Sequence, residues 1–373
     1  MTHLQLNPHL LKVPLYVAGK SIEEVQEELG LDEVVKMGSN ENPLGPSRMA
    51  IEAAQKMLPE AHRYPNYWEK ELRCRLGPTI DPDFTAQNIL IGNGGCDVLR
   101  MIAHGFMREG GETITANATF PMFSILTTMF GGRTIEAPIT ADYRFDLPAI
   151  QRAITPATRL ICLCTPNNPT GTIIQQCEAD EFMANVPEHV VVVFDESYCG
   201  FATDPEHVNS IQYIKQGRNV ITVRSFSKKS GLANMRVGYA IGRPELIEYL
   251  HHAQMPFNTG SVSLVAAVAS LEDHEYERRS TQLVKDELAY LYTALDALDL
   301  AYVRSEANFV LMINLPMNAK ALVEAVLRKG VIIRWGGSMG LPDAVRVTVG
   351  THEQNEQFVA ALRAVVEEMR ARA

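Results

Sequence analysis

Short apolar runs alternate with longer stretches of helical period between about residues 88 and 250. Such alternation is typical of a mostly parallel β-sheet covered by helices on both faces. We therefore expect an α/β fold with a large domain of this kind. The apolar runs predict strands at residues 88–91, 113–116, 160–164, 190–194, 220–223 and 237–241.

A different pattern follows toward the C-terminus. Residues 260–300 predict one long helix, and short strands are predicted at 308–313, 331–334 and 344–349, with helices between and after them. This is an α+β pattern and indicates a second, smaller domain. We divide the chain into an N-terminal arm (1–35), a large domain (36–255) and a small C-terminal domain (256–373). The arm contains a predicted helix at 22–29 but no core of its own, so we expect it to join the small domain or a dimer partner.

Composition and charge narrow the classes of function. The chain has 373 residues, 46% of them hydrophobic, which is enough for a large domain plus a smaller one. A net charge of −10 argues against a nucleic-acid surface. The longest apolar runs are too short to cross a membrane, and the first residues do not have the pattern of a signal peptide, so we expect a cytoplasmic protein. The six cysteines form no CxxC pair and the ten histidines have no ligand spacing, so no metal site is expected.

Distinctive polar segments follow several of the predicted strands, at the strand ends where open α/β sheets bind ligands. Residues 92–97 (GNGGCD) form a glycine turn that opens a helix, an arrangement that suits a phosphate, although such turns are common. Residues 165–171 (TPNNPTG) have the composition of a simple turn. Asp195 ends an apolar strand and needs a cation or hydrogen bonds. Residues 224–236 contain Lys228, Lys229 and Arg236, and a lysine there, taken in isolation, is better interpreted as a surface charge.

Together these segments resemble the fold type I pyridoxal-phosphate enzymes and, among them, the histidinol-phosphate aminotransferase family. The resemblance covers nearly the whole chain, from residues 16–20 to residues 346–351. Its most specific parts are residues 39–46 (SNENPLGP), residues 166–171 (PNNPTG), and Ser227-Lys228 followed eight residues later by Arg236. It implies a seven-stranded, mostly parallel sheet in the large domain and pyridoxal 5′-phosphate as cofactor. It also implies a homodimer with a shared active site that takes an amino donor and a 2-oxo acid.

The resemblance assigns the catalytic roles. Lys228 is expected to bond covalently to the cofactor and to move the proton at the substrate Cα; Lys229 is the competing candidate. Asp195 is expected to keep the pyridine nitrogen protonated, and Asn168 and Tyr198 to hydrogen-bond the phenolate oxygen of the cofactor.

Further positions follow from the same resemblance. Phe120 is expected to stack on the pyridine ring, and Tyr64 to reach the cofactor phosphate of the neighbouring subunit. The substrate is expected to contact Tyr16, Asn42, Arg334 and Arg346. The phosphate is expected to lie against Gly95, Cys96, Ser225, Ser227 and Arg236.

Several functions remain open on these residues. The first interpretation is transfer of the amino group of L-histidinol phosphate to 2-oxoglutarate, in histidine biosynthesis. An aromatic amino acid aminotransferase of the same family is the main alternative, and a decarboxylase of phosphate-ester amino acids is a third. A cofactor-binding transcriptional regulator needs an additional DNA-binding domain, and only about 35 residues, which are not basic, precede the Ser39 motif.

Overall fold

The computed structural model of the chain describes residues 5–14 and 19–371. Within these ranges the chain forms thirteen α-helices and thirteen β-strands. The helices α1 to α13 are Ile22–Leu29, Arg48–Met57, Asn66–Ile80, Gly95–Phe106, Met122–Met129, Leu147–Arg152, Gln176–Asn185, Ile211–Lys215, Pro244–His251, Ser261–Glu272, His274–Ala297, Ala319–Leu327 and His352–Arg370. The strands β1 to β13 are Val35–Lys36, Ile89–Asn93, Glu112–Ala116, Arg133–Ala137, Thr158–Cys164, Val191–Asp195, Val220–Ser225, Val237–Gly242, Tyr302–Val303, Phe309–Met312, Val331–Ile332, Arg334–Trp335 and Val345–Thr348.

The central feature is a seven-stranded sheet with the strand order β2-β8-β7-β6-β5-β3-β4. Strand β8 runs antiparallel to β2 and β7, and the remaining pairs are parallel. The predicted fold class is therefore confirmed. All six strands predicted for this region lie within two residues of the observed ones. Strand β4 escaped prediction because it is an edge strand with exposed Arg133 and Glu136, and so does not present an apolar run.

The prediction of one long helix over residues 260–300 is wrong. The structure has two helices, α10 and α11, separated at Asp273, whose carboxylate accepts a hydrogen bond from the backbone N–H of Tyr276 (3.0 Å) and so caps α11. Helix α10 packs against α2 and α3, and its Leu264 belongs to the core of the large sheet. The domain boundary at residue 256 stays a prediction, with α10 packed on the large-sheet side.

A second core surrounds a four-stranded antiparallel sheet of order β12-β13-β10-β9, covered by helices α11, α12 and α13. The predicted strand at 331–334 is two short strands, because β11 pairs with β1 and β12 pairs with β13. The N-terminal segment is thereby joined to this core: Val35 pairs with Val331, and Met37 accepts a backbone hydrogen bond from Thr348 (2.8 Å). The chain then carries residues 38–42 from the second core toward the edge of the large sheet.

The carboxyl ends of the central strands meet at one edge of the large sheet. Asp195 at the end of β6 is in register with Cys164 at the end of β5 and with Val223 near the end of β7. Side chains that follow these strands are therefore neighbours, although they are about 30 residues apart in sequence. No helix in residues 5–14 or 19–371 has the length and apolar character needed to cross a bilayer.

Candidate active site

Lys228 lies in the loop that follows β7 and points toward residues of both cores. Its Nζ donates a hydrogen bond to the carbonyl of Ser39 (3.3 Å) and lies 5.6 Å from the centre of the Tyr198 ring. Burial, and after it the positive charge of Arg346, lower the pKa of Lys228 to about 8. A lysine with a lowered pKa is neutral in a much larger fraction of molecules near pH 7, and the neutral amine is the form that attacks a carbonyl or accepts a proton.

The competing candidate, Lys229, lies elsewhere. Its Nζ forms an ion pair with Glu277 (3.2 Å), and the aliphatic part of its side chain lies against the backbone of Gly200. The two adjacent lysines therefore point in different directions, and Lys228 is the one that the structure places beside Tyr198.

Asp195 is buried, with 3% of its surface exposed. Its Oδ1 accepts hydrogen bonds from the backbone N–H (3.1 Å) and the hydroxyl (2.6 Å) of Ser197. Burial raises the pKa of Asp195, while the bonds from Ser197 act in the opposite direction. A buried carboxylate of this kind gains most from a cationic partner, and a protonated pyridine nitrogen is such a partner.

Tyr198 and Asn168 complete the predicted set around the cofactor ring. The Tyr198 hydroxyl accepts a hydrogen bond from Asn40 Nδ2 (2.9 Å), and its ring packs edge-on against Phe309. Asn168 is buried, and its Oδ1 accepts a hydrogen bond from Arg346 Nη1. The amide nitrogen of Asn168 is thereby turned away from Arg346, in the orientation needed for a hydrogen-bond donor.

The turn that carries Asn168 is fixed by its neighbour, Asn167. The Asn167 side chain donates to the carbonyl of Ala118 (2.9 Å) and accepts from the hydroxyl of Thr119 (2.7 Å). These bonds tie the turn after β5 to the loop after β3, which contains Phe120. The residues that have the composition of a simple turn in the sequence therefore form a rigid part of the site.

A cradle for an anion lies where β2 passes into α4. Gly94 has φ = 82°, and a Cβ atom at this position would clash with Nη2 of Arg236. Arg236 itself has a left-handed backbone (φ = 52°) and donates to the carbonyl of Ala233 (2.8 Å). A guanidinium group therefore lies directly over the glycine turn, next to the positive end of the dipole of α4.

The other predicted phosphate ligands surround this cradle. Gly95 and Cys96 are the first two residues of α4, and Cys96 is exposed. The Ser225 hydroxyl oxygen accepts from the N–H of Ser227 (3.1 Å), which leaves the hydroxyl proton of Ser225 available for an anion. These donors, with Arg236, fit a phosphate group.

Asp97 adds a negative charge to the first turn of α4, but that charge is compensated within the chain. Its carboxylate accepts from the N–H of Asn93 (2.9 Å), from Nε of Arg100 (2.9 Å) and from Nδ2 of Asn258 (3.1 Å). The acid thus holds the turn in place, and its repulsion of a bound phosphate is reduced.

Two arginines of the second core lie next to each other. Arg334 on β12 and Arg346 on β13 are directly opposed in the antiparallel register. Arg346 is 5% exposed, its Nη2 donates to the carbonyl of Gly38 (2.7 Å), and its guanidinium lies 5.3 Å from the centre of the Phe309 ring. Tyr16, predicted to join them, lies outside the described residues.

Three predicted residues have surroundings that differ from one another. Phe120 is half-buried and packs edge-on against Phe123. Tyr64 is 77% exposed, and its ring stacks on Phe257 with 4.4 Å between the centroids. Asn42 has both ends of its amide engaged within the chain, and its substrate contact stays a prediction.

The contacts of Asn42 tie residues near Lys228 together. Its Nδ2 donates to the carbonyl of Lys229 (2.9 Å) and to the hydroxyl of Ser280 (2.7 Å), and its Oδ1 accepts from the N–H of Leu44 (3.1 Å). Asn42 therefore holds the backbone next to Lys228 in place.

Sequence reasoning missed two residues of the site. Ser197 binds Asp195, and the spacing Asp-x-Ser is a signal for such a local turn. Asn40 binds Tyr198, but the partners are 158 residues apart, so local pattern does not reveal the contact. Within the described part of the chain, no three His, Cys, Asp or Glu side chains cluster as metal ligands do.

Comparisons with known proteins agree with this geometry. Residues 32–362 match the profile of the family "Aminotransferase class I and II". The histidinol-phosphate aminotransferase of Moorella thermoacetica is 41% identical over 362 residues, which cover 96% of this chain and 92% of that protein. That of Symbiobacterium thermophilum is 39% identical, with 95% and 96% of the two chains covered.

Solved structures share the fold. The histidinol-phosphate aminotransferase of Sinorhizobium meliloti, solved in complex with pyridoxal 5′-phosphate, matches 98% of both chains with a TM-score of 0.90 at 24% identity. The aspartate aminotransferase of Thermus thermophilus, solved with maleate, matches 98% of this chain and 99% of its own with a TM-score of 0.82 at 22% identity.

The fold and the site thus define a class I and II aminotransferase. Within this class the chain belongs to the histidinol-phosphate aminotransferase family. The predicted family and the predicted class of enzyme, a pyridoxal-phosphate-dependent aminotransferase, are confirmed.

Proposed function

We propose that this chain transfers the amino group of L-histidinol phosphate to 2-oxoglutarate, with pyridoxal 5′-phosphate as cofactor. The observation that carries the proposal is the placement of Lys228, whose amine lies between the Ser39 carbonyl and Tyr198 and has a pKa lowered to about 8. The same edge of the sheet carries the buried acid Asp195 and the cradle around Gly94 and Arg236.

The residues present fit the cofactor group by group. When bound, pyridoxal phosphate supplies an electron sink that stabilises negative charge at the substrate Cα. Asp195 holds the proton on the ring nitrogen, because burial makes a cation its best partner. Tyr198 and Asn168 would donate hydrogen bonds to the ring oxygen, and Phe120 would pack on the ring face. Gly95, Cys96, Ser225, Ser227 and Arg236 would hold the phosphate.

Lys228 has two roles. Its neutral amine would hold the cofactor, and the same amine would move the proton at the substrate Cα. Asn42 serves these steps indirectly, since it fixes the backbone at Lys228 and Lys229. The hydrogen bond from Lys228 Nζ to the carbonyl of Ser39 keeps the amine of Lys228 pointed into the site.

The preference for a phosphate-bearing amino donor is supported by the two opposed arginines and by the named relatives. Arg334 and Arg346 are directly opposed on neighbouring strands, and charge-assisted hydrogen bonds strengthen with the charge of the acceptor. A phosphate ester dianion gains more from such a pair than a single carboxylate does. The relatives from Moorella and Symbiobacterium, at 41% and 39% identity, carry the same activity in their names.

A homodimer with a shared site forms part of the proposal. Tyr64 is 77% exposed and contacts Phe257, itself 47% exposed, and an open cavity of about 330 Å³ beside them is lined by Pro65 and residues 254–257. Large apolar side chains exposed together indicate a surface that another molecule covers. A second copy of the chain would bring Tyr64 to the phosphate of its partner. A cytoplasmic location, without nucleic-acid or membrane partners, also stays a prediction.

The covalent bond tests the assignment of Lys228. The purified protein with cofactor should be yellow, and borohydride reduction should fix the cofactor on the peptide that contains Lys228. The Lys229→Ala variant is the matched control and should be labelled to the same extent. Label on Lys229 in the unmodified protein would overturn the assignment.

The amino donor is tested by titrating the holoenzyme separately with histidinol phosphate, phenylalanine and glutamate, and following the absorbance of the cofactor. We expect a higher kcat/KM for histidinol phosphate than for phenylalanine. Glutamate should also change the absorbance of the cofactor, because its conversion to 2-oxoglutarate is the reverse of the second half of the proposed reaction. A preference for phenylalanine would instead establish the aromatic aminotransferase.

A further inference from the structure

A short chain of hydrogen bonds runs from the second core to Tyr198. The hydroxyl of Thr348, on β13, donates to Oδ1 of Asn40 (3.0 Å), and Nδ2 of Asn40 donates to the hydroxyl of Tyr198 (2.9 Å). The backbone N–H of Asn40 donates back to Oγ1 of Thr348 (2.9 Å). All three side chains are buried, with at most 5% of their surface exposed.

The direction of each bond follows from the donors and acceptors available. Oγ1 of Thr348 already accepts from the Asn40 backbone, and its own proton goes to Oδ1 of Asn40. That bond sets the amide orientation, so the NH₂ group of Asn40 faces Tyr198. Because the Tyr198 oxygen accepts this bond, its own proton points elsewhere, and no other hydrogen bond of this hydroxyl occurs among the described residues.

We propose that Asn40, oriented by Thr348, is a positioning residue that holds the Tyr198 hydroxyl as a hydrogen-bond donor toward the ring oxygen of the cofactor. This inference rests on the proposed function, since it needs the cofactor next to Tyr198. Without the amide of Asn40, the Tyr198 hydroxyl rotates and accepts a hydrogen bond part of the time. The negative charge on the ring oxygen of the cofactor is then less well stabilised.

The backbone around Asn40 has its own support, which separates this role from a purely structural one. Asn40 has φ = 55°, and its carbonyl accepts from Nδ2 of Asn308 (3.2 Å). Glycine adopts this backbone conformation without strain, so Asn40→Gly removes the amide and keeps the turn. Asn40→Asp keeps the shape but replaces the donor by an acceptor, which draws the Tyr198 proton away from the cofactor.

The charged and titratable groups that surround Tyr198 are the same in Asn40→Gly as in the unmodified protein. Arg346, Cys164 and Asp195 act on its hydroxyl electrostatically, and the amine of Lys228 lies 5.6 Å from the centre of its ring. None of them is replaced in Asn40→Gly, so a change in the behaviour of the cofactor reports on the hydroxyl itself. Asn40→Asp adds a carboxyl group beside Tyr198, and its larger expected shift includes the effect of that group.

The experiment is a double-mutant cycle on the holoenzyme, with Asn40→Gly, Tyr198→Phe and the double variant. The readouts are the pH midpoint of the absorbance change of the lysine-bound cofactor and the dissociation constant of pyridoxal phosphate from fluorescence titration of the apoprotein. A hydrogen bond donated to the ring oxygen weakens the attraction between that oxygen and the neighbouring N–H proton. Loss of the donated hydrogen bond therefore raises the pH midpoint. We expect Asn40→Gly to raise the midpoint by about half a pH unit and Asn40→Asp by about one unit, as for a weakened hydrogen bond to a charged group.

The Tyr198→Phe background decides between the two roles. If Asn40 acts through the hydroxyl, Asn40→Gly leaves the midpoint of the Tyr198→Phe protein unchanged, whereas a structural role gives the same shift in both backgrounds and overturns the inference. Thr348→Ser keeps the whole chain of bonds and should match the unmodified protein. If Asn40→Gly does not fold, the same cycle is carried out with Asn40→Asp. The inference then requires that the shift of the pH midpoint caused by Asn40→Asp is at least halved in the Tyr198→Phe background. Failure of the unmodified protein to bind cofactor at Lys228 contradicts the proposed function instead.

Discussion

The two ends of the site are built in different ways. At the cofactor end, Asp195 and Lys228 follow β6 and β7, which are neighbours in the seven-stranded sheet. At the substrate end, Arg334 and Arg346 lie on the four-stranded sheet of the second core. The groups proposed to do the chemistry thus share one rigid element, and the groups proposed to recognise the substrate come from another. One sheet fixes the reacting atoms, while recognition depends on how separate parts of the chain come together.

The two ends are nevertheless in contact. Arg346 donates to Asn168, which lies in the turn after β5, and to the carbonyl of Gly38 in the N-terminal segment. Arg346 therefore joins the small sheet to the cofactor end, as Thr348 does through Asn40 and Tyr198. A change at Arg346 should affect both ends, whereas a change at Arg334 should affect mainly the substrate.

The largest effect is expected at the cofactor end. Lys228→Ala should lower kcat by about four orders of magnitude or more, because the covalent attachment and the acid–base group are lost together. Steady-state kinetics and single-turnover absorbance measure this directly. Lys229→Ala should stay within a few-fold of the unmodified enzyme, since Lys229 pairs with Glu277 outside the site. A severe loss in both variants would show that the ion pair, too, belongs to the machinery.

The second-largest effect is expected for the Asp195→Asn variant. The amide cannot hold the ring nitrogen protonated, and the loss of one such electrostatic interaction typically costs about 10²–10³ in kcat. Cofactor should still bind, because the cradle around Gly94 and Arg236 is unchanged. Turnover and cofactor occupancy are measured on the same sample. Near-normal turnover at full occupancy would mean that the acid partner of the ring lies elsewhere.

The sequence predicts these two ends unequally well. The large sheet and the residues at its strand ends follow from apolar runs and from the motifs after them, because both are local features of the chain. The helix break at Asp273 and the exposed edge strand β4 are also local features. The pattern of apolar positions does not reveal them, because their side chains are largely polar.

The contacts between segments that are distant in sequence could not be predicted from local sequence patterns. Asn40 reaches Tyr198 across 158 positions, and Asn42 reaches Ser280 across 238. Nothing in residues 39–46 shows that the amide of Asn42 binds the backbone at Lys229. Such contacts depend on the packing of the second core against the large sheet, which is a tertiary property.

At the substrate end, Arg334→Ala should lower kcat/KM for histidinol phosphate more than for phenylalanine. The expected differential is roughly 1.5–3 kcal/mol, the cost of one hydrogen bond to a charged group. The matched control is Arg328→Ala, an arginine at the end of α12 that has not been placed in the site. Equal losses for both donors would mean that Arg334 does not distinguish phosphate from carboxylate, and would favour the aromatic aminotransferase.

The smallest expected signal, a partial recovery of activity, tests whether the cofactor end extends across a dimer. Tyr64 is exposed on its own chain, and its ring contact is with Phe257, outside the residues assigned to the site. If it completes the phosphate site of a partner, a Tyr64→Ala variant and a Lys228→Ala variant, each with little activity, should complement one another. After subunit exchange at equal concentrations, half of the dimers are hybrids with one intact site, so activity should recover to about a quarter of that of the unmodified enzyme. Exchange is verified by native mass spectrometry of differently tagged chains, and cofactor affinity is measured for Tyr64→Ala alone. Hybrids that form but remain inactive would show that each site is built from one chain, and the contrast between the two ends would then lie wholly within a single subunit.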